Sequence, residues 1–93
     1  DMAVNFSNLV RADRQVLDLI NELKSSGEYD NTYIFFYADH GGPFPRHKRA
    51  IYETGTKVPL IIKPPKGVEI DNNPHDLLSF IDLAPTVFIN CRY

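Results

Sequence analysis

Ninety-three residues, 43% of them hydrophobic and 24% charged, suffice for one small globular unit. Ten basic against twelve acidic residues leave a net charge of −2, so no basic field invites nucleic acid or an anionic membrane. The single cysteine, Cys91, excludes an internal disulfide and falls in no Cys/His spacing of a zinc cluster, and no run reaches the roughly 20 apolar residues that span a bilayer.

Compartment is not written in the sequence. The N-terminal Asp1-Met2-Ala3-Val4-Asn5 lacks the basic and apolar regions of a signal peptide. Asn5-Phe6-Ser7 is a formal glycosylation acceptor, but such triplets arise often by chance and this one decides nothing.

The first element is a helix. Leu9, Ala12, Val16, Leu19, Ile20 and Leu23 recur at spacings of three and four, with Arg11, Asp13, Arg14, Asp18, Asn21, Glu22 and Lys24 opposite. The pattern predicts an amphipathic helix over about residues 5–26, closed at Gly27, which readily adopts a left-handed conformation.

After the polar Glu28-Tyr29-Asp30-Asn31, the run Thr32-Tyr33-Ile34-Phe35-Phe36-Tyr37-Ala38 is β-branched and aromatic and too short for a typical helix. Its unbroken apolarity predicts a strand covered on both faces, as in the centre of a parallel sheet. Asp39-His40-Gly41-Gly42 then falls at the carboxyl end of that strand, where open α/β sheets place their ligands.

Residues 43–57 hold no period and are the most basic stretch of the chain, so they read as a loop with one helical turn near Ala50-Ile51-Tyr52. A second strand follows at residues 58–63, with Pro59 tolerable near its start and Pro64-Pro65-Lys66-Gly67 ending it. From Leu77 onward the pattern is helical except for Pro85, which an interior turn would not accept. An N-cap at Asp82 resolves this by putting Pro85 in the first turn and leaving residues 77–81 extended. The fold class is therefore α/β, part of a mostly parallel sheet flanked by helices, with too few strands for a complete one.

Two groups of residues carry chemistry. Asp39 and His40 offer an oxygen and a nitrogen ligand on consecutive residues, followed by two glycines that let the backbone approach a ligand. The plainer alternative is an ordinary turn in which Asp39 caps a backbone N–H. Arg46-His47-Lys48-Arg49 suits a substrate anion, because lysine supplies a point charge and arginine a planar fork. Its alternative is a solvated surface loop.

Taken together, Tyr29-Asp30-Asn31-Thr32, the strand, Ala38-Asp39-His40-Gly41-Gly42, Lys48, Tyr52-Glu53-Thr54-Gly55-Thr56-Lys57-Val58-Pro59-Leu60-Ile61 and Ile81-Asp82-Leu83-Ala84-Pro85-Thr86 resemble the type I sulfatases of the alkaline-phosphatase superfamily. The resemblance runs to about Ile89. It implies that residues 1–93 are the C-terminal part of a sulfatase catalytic domain. It further implies that Asp39 and His40 complete the site of a divalent cation, usually Ca²⁺, and that Lys48 binds the sulfate group and steadies the leaving oxygen, with Arg46 and His47 as its competitors. The substrate implied is a sulfated small molecule or glycan, and the compartment extracytoplasmic. No Cys/Ser-x-Pro-x-Arg motif, whose first residue becomes the formylglycine nucleophile of that family, occurs here, and Cys91 is not followed by one. The rest of a parent chain is then a required partner, and these residues alone should not turn over. Two other readings compete. One is a zinc or manganese phosphodiesterase or phosphomutase of the same superfamily, which His40 would suit; the other is a binding module that keeps the fold without the chemistry.

Overall fold

In the computed structural model, which describes residues 2–71, 73 and 76–90, the chain begins as one long helix, α1 (Met2–Ser26). It starts three residues before the expected boundary. The Ser7 hydroxyl donates back to the Ala3 carbonyl at 3.0 Å, so the Asn5-Phe6-Ser7 triplet lies inside the helix. The helix ends in a Schellman motif: Gly27 has φ +80°, its N–H donates to the Lys24 carbonyl at 3.2 Å, and the Glu28 N–H donates to the Leu23 carbonyl at 3.1 Å.

A single 3₁₀ turn at Tyr29–Asn31 leads into β1 (Ile34–Tyr37), which pairs with β2 (Leu60–Lys63). Both predicted strands are present, shortened at their ends, and they lie in one sheet. They run antiparallel, with Ile34 opposite Lys63 and Tyr37 opposite Leu60. The parallel character expected of the sheet does not describe this pair. The segment between the strands is long enough for a crossover but supplies only one helical turn, α2 (Glu53–Thr56), and no helix that carries the chain back along the sheet as a parallel return usually requires. That turn also lies three residues later than expected, after Tyr52 instead of around Ile51.

Lys63 binds the two ends of this region together. Its ammonium donates to the Tyr29 carbonyl and, at 3.2 Å, to the Thr32 carbonyl, and it stands 4.1 Å from the centre of the Tyr29 ring. A backbone bond from the Lys66 N–H to the Asp30 carbonyl, 2.7 Å long, reinforces the same junction.

The chain then reaches a 3₁₀ turn at Phe80–Asp82 that runs into α3 (Leu83–Asn90). Pro85 is the third residue of α3, in its first turn, where a missing N–H costs little. Asp82 is not the N-cap that the sequence suggested: Ser79 holds that position, Phe80 and Ile81 are already in the turn instead of extended, and Asp82 reaches back as the third residue of a capping box. Its carboxylate accepts from the Ser79 N–H at 3.2 Å, while its own N–H donates to the Ser79 carbonyl at 2.9 Å. The α3 segment lies over the sheet face that carries Tyr33, Phe35 and Tyr37. Tyr37 and Phe80 rings are 5.3 Å apart, and the Tyr33 hydroxyl donates to Asn90 Oδ1 at 3.5 Å.

Gly55 is the only buried residue among those described. Leu9, Leu19 and Ile61 are each more than half exposed, and Phe36 and Tyr37 nearly so, which leaves the sheet open where the sequence predicted cover. The radius of gyration is 15.7 Å, against about 12 Å for a compact chain of this length. Apolar surface awaiting a neighbour is thus a property of the whole structure. Among the described residues no helix is long and apolar enough to cross a membrane.

Candidate metal and anion site

The antiparallel pairing of Tyr37 with Leu60 brings both ends of the connecting segment, residues 38–59, to one end of the sheet. Asp39 and His40 leave the carboxyl end of β1 there, as expected from the strand that precedes them. Their side chains meet: His40 Nε2 stands 3.3 Å from Asp39 Oδ2, with Asp39 largely exposed and His40 half-buried.

The other imidazole nitrogen is committed. His40 Nδ1 lies 2.8 Å from the Gly41 carbonyl oxygen, and since a carbonyl can only accept, this contact is a hydrogen bond when Nδ1 carries a proton. A neutral imidazole held in that way presents the Nε2 lone pair, which is the arrangement that metal-ligating histidines use. Two donors bound at about 2.3–2.4 Å on adjacent corners of an octahedron stand roughly 3.3 Å apart. Tetrahedral ligands to zinc, at about 2.0–2.1 Å, stand equally far apart, and 3.3 Å is also the distance of a direct contact between imidazole and carboxylate, so the separation does not select an ion. Among the described residues no group of three or more His, Cys, Asp or Glu side chains gathers around one point, so this pair alone does not make a metal site.

The basic loop is tied to the same turn through its backbone. The Lys48 N–H donates to the Gly42 carbonyl at 3.1 Å, and the Gly41 N–H donates to the Gly55 carbonyl at 3.0 Å. The three candidates for anion contact behave differently. The Arg46 guanidinium stacks on Tyr52, 5.9 Å from the ring centre, and the His47 ring meets the Phe44 ring edge-on at 5.6 Å. Lys48 is exposed, and among the described residues its ammonium has no partner. Arg49 is exposed as well, with no side-chain partner among the described residues, so two cations of this loop are uncommitted and Lys48 is one of them.

Thr54 and Gly55, which sequence reasoning did not single out, organise this region. A Cβ on Gly55 would collide with the carbonyl oxygens of His47 and Ala50, and one on Gly41 would fall on the Thr54 carbonyl. The close approach that the first glycine of the pair permits is thus to α2 and not to a ligand. The Thr54 hydroxyl donates to the Arg46 carbonyl at 2.5 Å. Arg46 and Arg49 both sit at φ +65°, a conformation that non-glycine residues hold only when their surroundings impose it. The one sequence signal for this arrangement is a glycine inside a helical turn, where it is otherwise unfavourable.

The family description "Sulfatase" matches residues 1–89. Among curated proteins, the chain is 44% identical, over 94% of its own length, to an ulvan-active sulfatase of Formosa agariphila. It is 38% identical, over 88%, to the human N-acetylglucosamine-6-sulfatase, and 36% identical, over 91%, to the extracellular sulfatase SULF-1 homolog of Drosophila melanogaster. The chain spans only 15%, 16% and 8% of the lengths of these relatives. No solved structure matches it.

Proposed function

The chain belongs to the sulfatase family, and from that premise we propose that it forms part of a larger catalytic domain that hydrolyses sulfate esters in an extracytoplasmic compartment. Asp39 and His40 provide two ligands to a divalent cation, which we assign as Ca²⁺, and Lys48 contacts the sulfate. The observation that carries this reading is the pairing of Asp39 Oδ2 and His40 Nε2 at 3.3 Å, with Nδ1 turned to the Gly41 carbonyl. The names of the relatives favour a sulfated glycan as substrate, and a mostly parallel sheet completed by the rest of the domain is the setting that would cover the open faces of β1 and β2.

The chemistry divides between this chain and the rest of the domain. A bound dication supplies Lewis acidity and orientation at the sulfate oxygens. Asp39 brings negative charge to hold such an ion, and His40 brings a lone pair whose direction is fixed by the Gly41 carbonyl. Lys48 offers a positive charge for the ester oxygen as the S–O bond breaks, and a donor preorganised in this way is worth most in the transition state. The attacking group would come from a Cys/Ser-x-Pro-x-Arg segment elsewhere in the parent sequence, and a parent without one would favour a non-catalytic binding module.

The test is hydrolysis of an aryl sulfate by the intact protein, with bound metal measured in each variant. Asp39→Ala should lose metal and activity together, with partial recovery in excess calcium. Lys48→Ala should keep its metal and lose on the order of 10²–10³ in rate without calcium rescue. Full metal content in Asp39→Ala, or wild-type turnover in Lys48→Ala, would remove that residue from the site. Hydrolysis of a phosphodiester in preference to the sulfate, with zinc or manganese bound, would replace the reaction class.

A further inference from the structure

We propose that Thr54 and Gly55 are positioning residues that latch the basic loop onto the cation turn and so fix where Lys48 meets the substrate anion, an inference that rests on the sulfate-ester reading above. Four contacts define the latch. Gly41 N–H reaches the Gly55 carbonyl at 3.0 Å, Lys48 N–H reaches the Gly42 carbonyl at 3.1 Å, and Ala50 N–H reaches the His47 carbonyl at 3.1 Å. The Thr54 hydroxyl closes the set on the Arg46 carbonyl at 2.5 Å. Gly55 sits under all of this, buried, with its α-carbon where any side chain would strike the carbonyls of His47 and Ala50, on either side of Lys48.

The latch explains two otherwise unfavourable features. Arg46 and Arg49 both occupy the left-handed region, flanking Lys48, and a loop free to relax would move them out of it. The Thr54 hydroxyl binds the carbonyl of the first of these residues, so it holds the loop in its strained course instead of merely packing near it. A lysine on a flexible stem delivers its charge accurately only if its backbone is held, and here the backbone is held to the turn that carries Asp39 and His40. Cation ligands and anion contact thus form one rigid unit.

The experiment uses the intact protein with Thr54→Val, which keeps the shape and removes the donor, and Thr54→Ser, which restores it. Thr54→Val should lower kcat for an aryl sulfate by between about tenfold and a hundredfold, the scale set by small misplacements of reacting groups, with KM and bound calcium near wild type. Thr54→Ser should recover most of the loss. Trypsin provides a readout independent of activity, because the loop carries Arg46, Lys48 and Arg49: cleavage there should accelerate in Thr54→Val and not in Thr54→Ser. Gly55→Ala should show the larger effect of the same kind. Unchanged kcat and unchanged cleavage in Thr54→Val, or equal damage from the serine variant, would overturn the proposal. If the wild-type protein hydrolyses no sulfate ester while Thr54→Val still exposes the loop to trypsin, the latch stands and only the sulfate-ester reading falls.

Discussion

Lys63→Met removes an ammonium while keeping most of its aliphatic stem, and the structure sets the expected cost. The ammonium donates to the carbonyls of Tyr29 and Thr32 and lies 4.1 Å from the Tyr29 ring centre. Each charge-assisted bond is worth about 1.5–3 kcal/mol when the partner is left unsatisfied, and an exposed cation–π contact adds about 0.5–1 kcal/mol. All three residues are half-buried, so water can replace part of the loss at the carbonyls. A net cost of about 2 kcal/mol follows, equivalent to roughly 30-fold in an opening equilibrium. Native-state hydrogen exchange in the intact protein reads this directly. Amides of β1 and β2 should lose about that factor in protection, while those in the middle of α1 keep theirs. Unchanged protection in both strands would show that Lys63 does not hold the junction, and equal loss throughout would show a global effect in place of a local one.

The two glycines after His40 should differ sharply. Gly41→Ala forces a methyl onto the Thr54 carbonyl and should lower thermal stability by about 1–3 kcal/mol, whereas at Gly42 the same methyl meets only Phe44 ring carbons at 3.4 and 3.6 Å and should cost far less. Similar melting shifts for both would contradict this packing. Asp82→Ala removes the carboxylate that accepts from the Ser79 N–H and should cost about 1 kcal/mol in a denaturant titration, while Asp82→Asn keeps an acceptor and should cost less. A neutral Asp82→Ala would mean that water serves the Ser79 amide equally well.

Wherever one short segment decided the outcome, the structure follows the sequence closely. The aromatic and β-branched run ahead of Asp39 forms β1, Gly27 closes α1, and Pro85 occupies the only part of a helix that accepts it. Strand direction was not legible, because alternation and apolarity are the same whether a neighbour runs parallel or antiparallel. Lys63 looked like the polar end of a strand, and its partners lie more than 30 residues away. Arginine carries no local preference for a left-handed backbone, so Arg46 and Arg49 gave no warning of the shape of their loop. The Asp39–His40 pair was visible as a residue type and a location; the approach of Nδ1 to the Gly41 carbonyl, with Nε2 turned to the Asp39 carboxylate, required coordinates.

The pairing of Tyr37 with Leu60 has an evolutionary consequence. An excursion whose entry and exit are stitched to each other at adjacent rungs of a ladder behaves as a cassette, because changes in its interior length do not propagate into strand register. The latch from Thr54 and Gly55 divides that cassette again, fixing its two ends and leaving Pro43–Pro45 as the stretch where insertions disturb neither the turn nor the lysine.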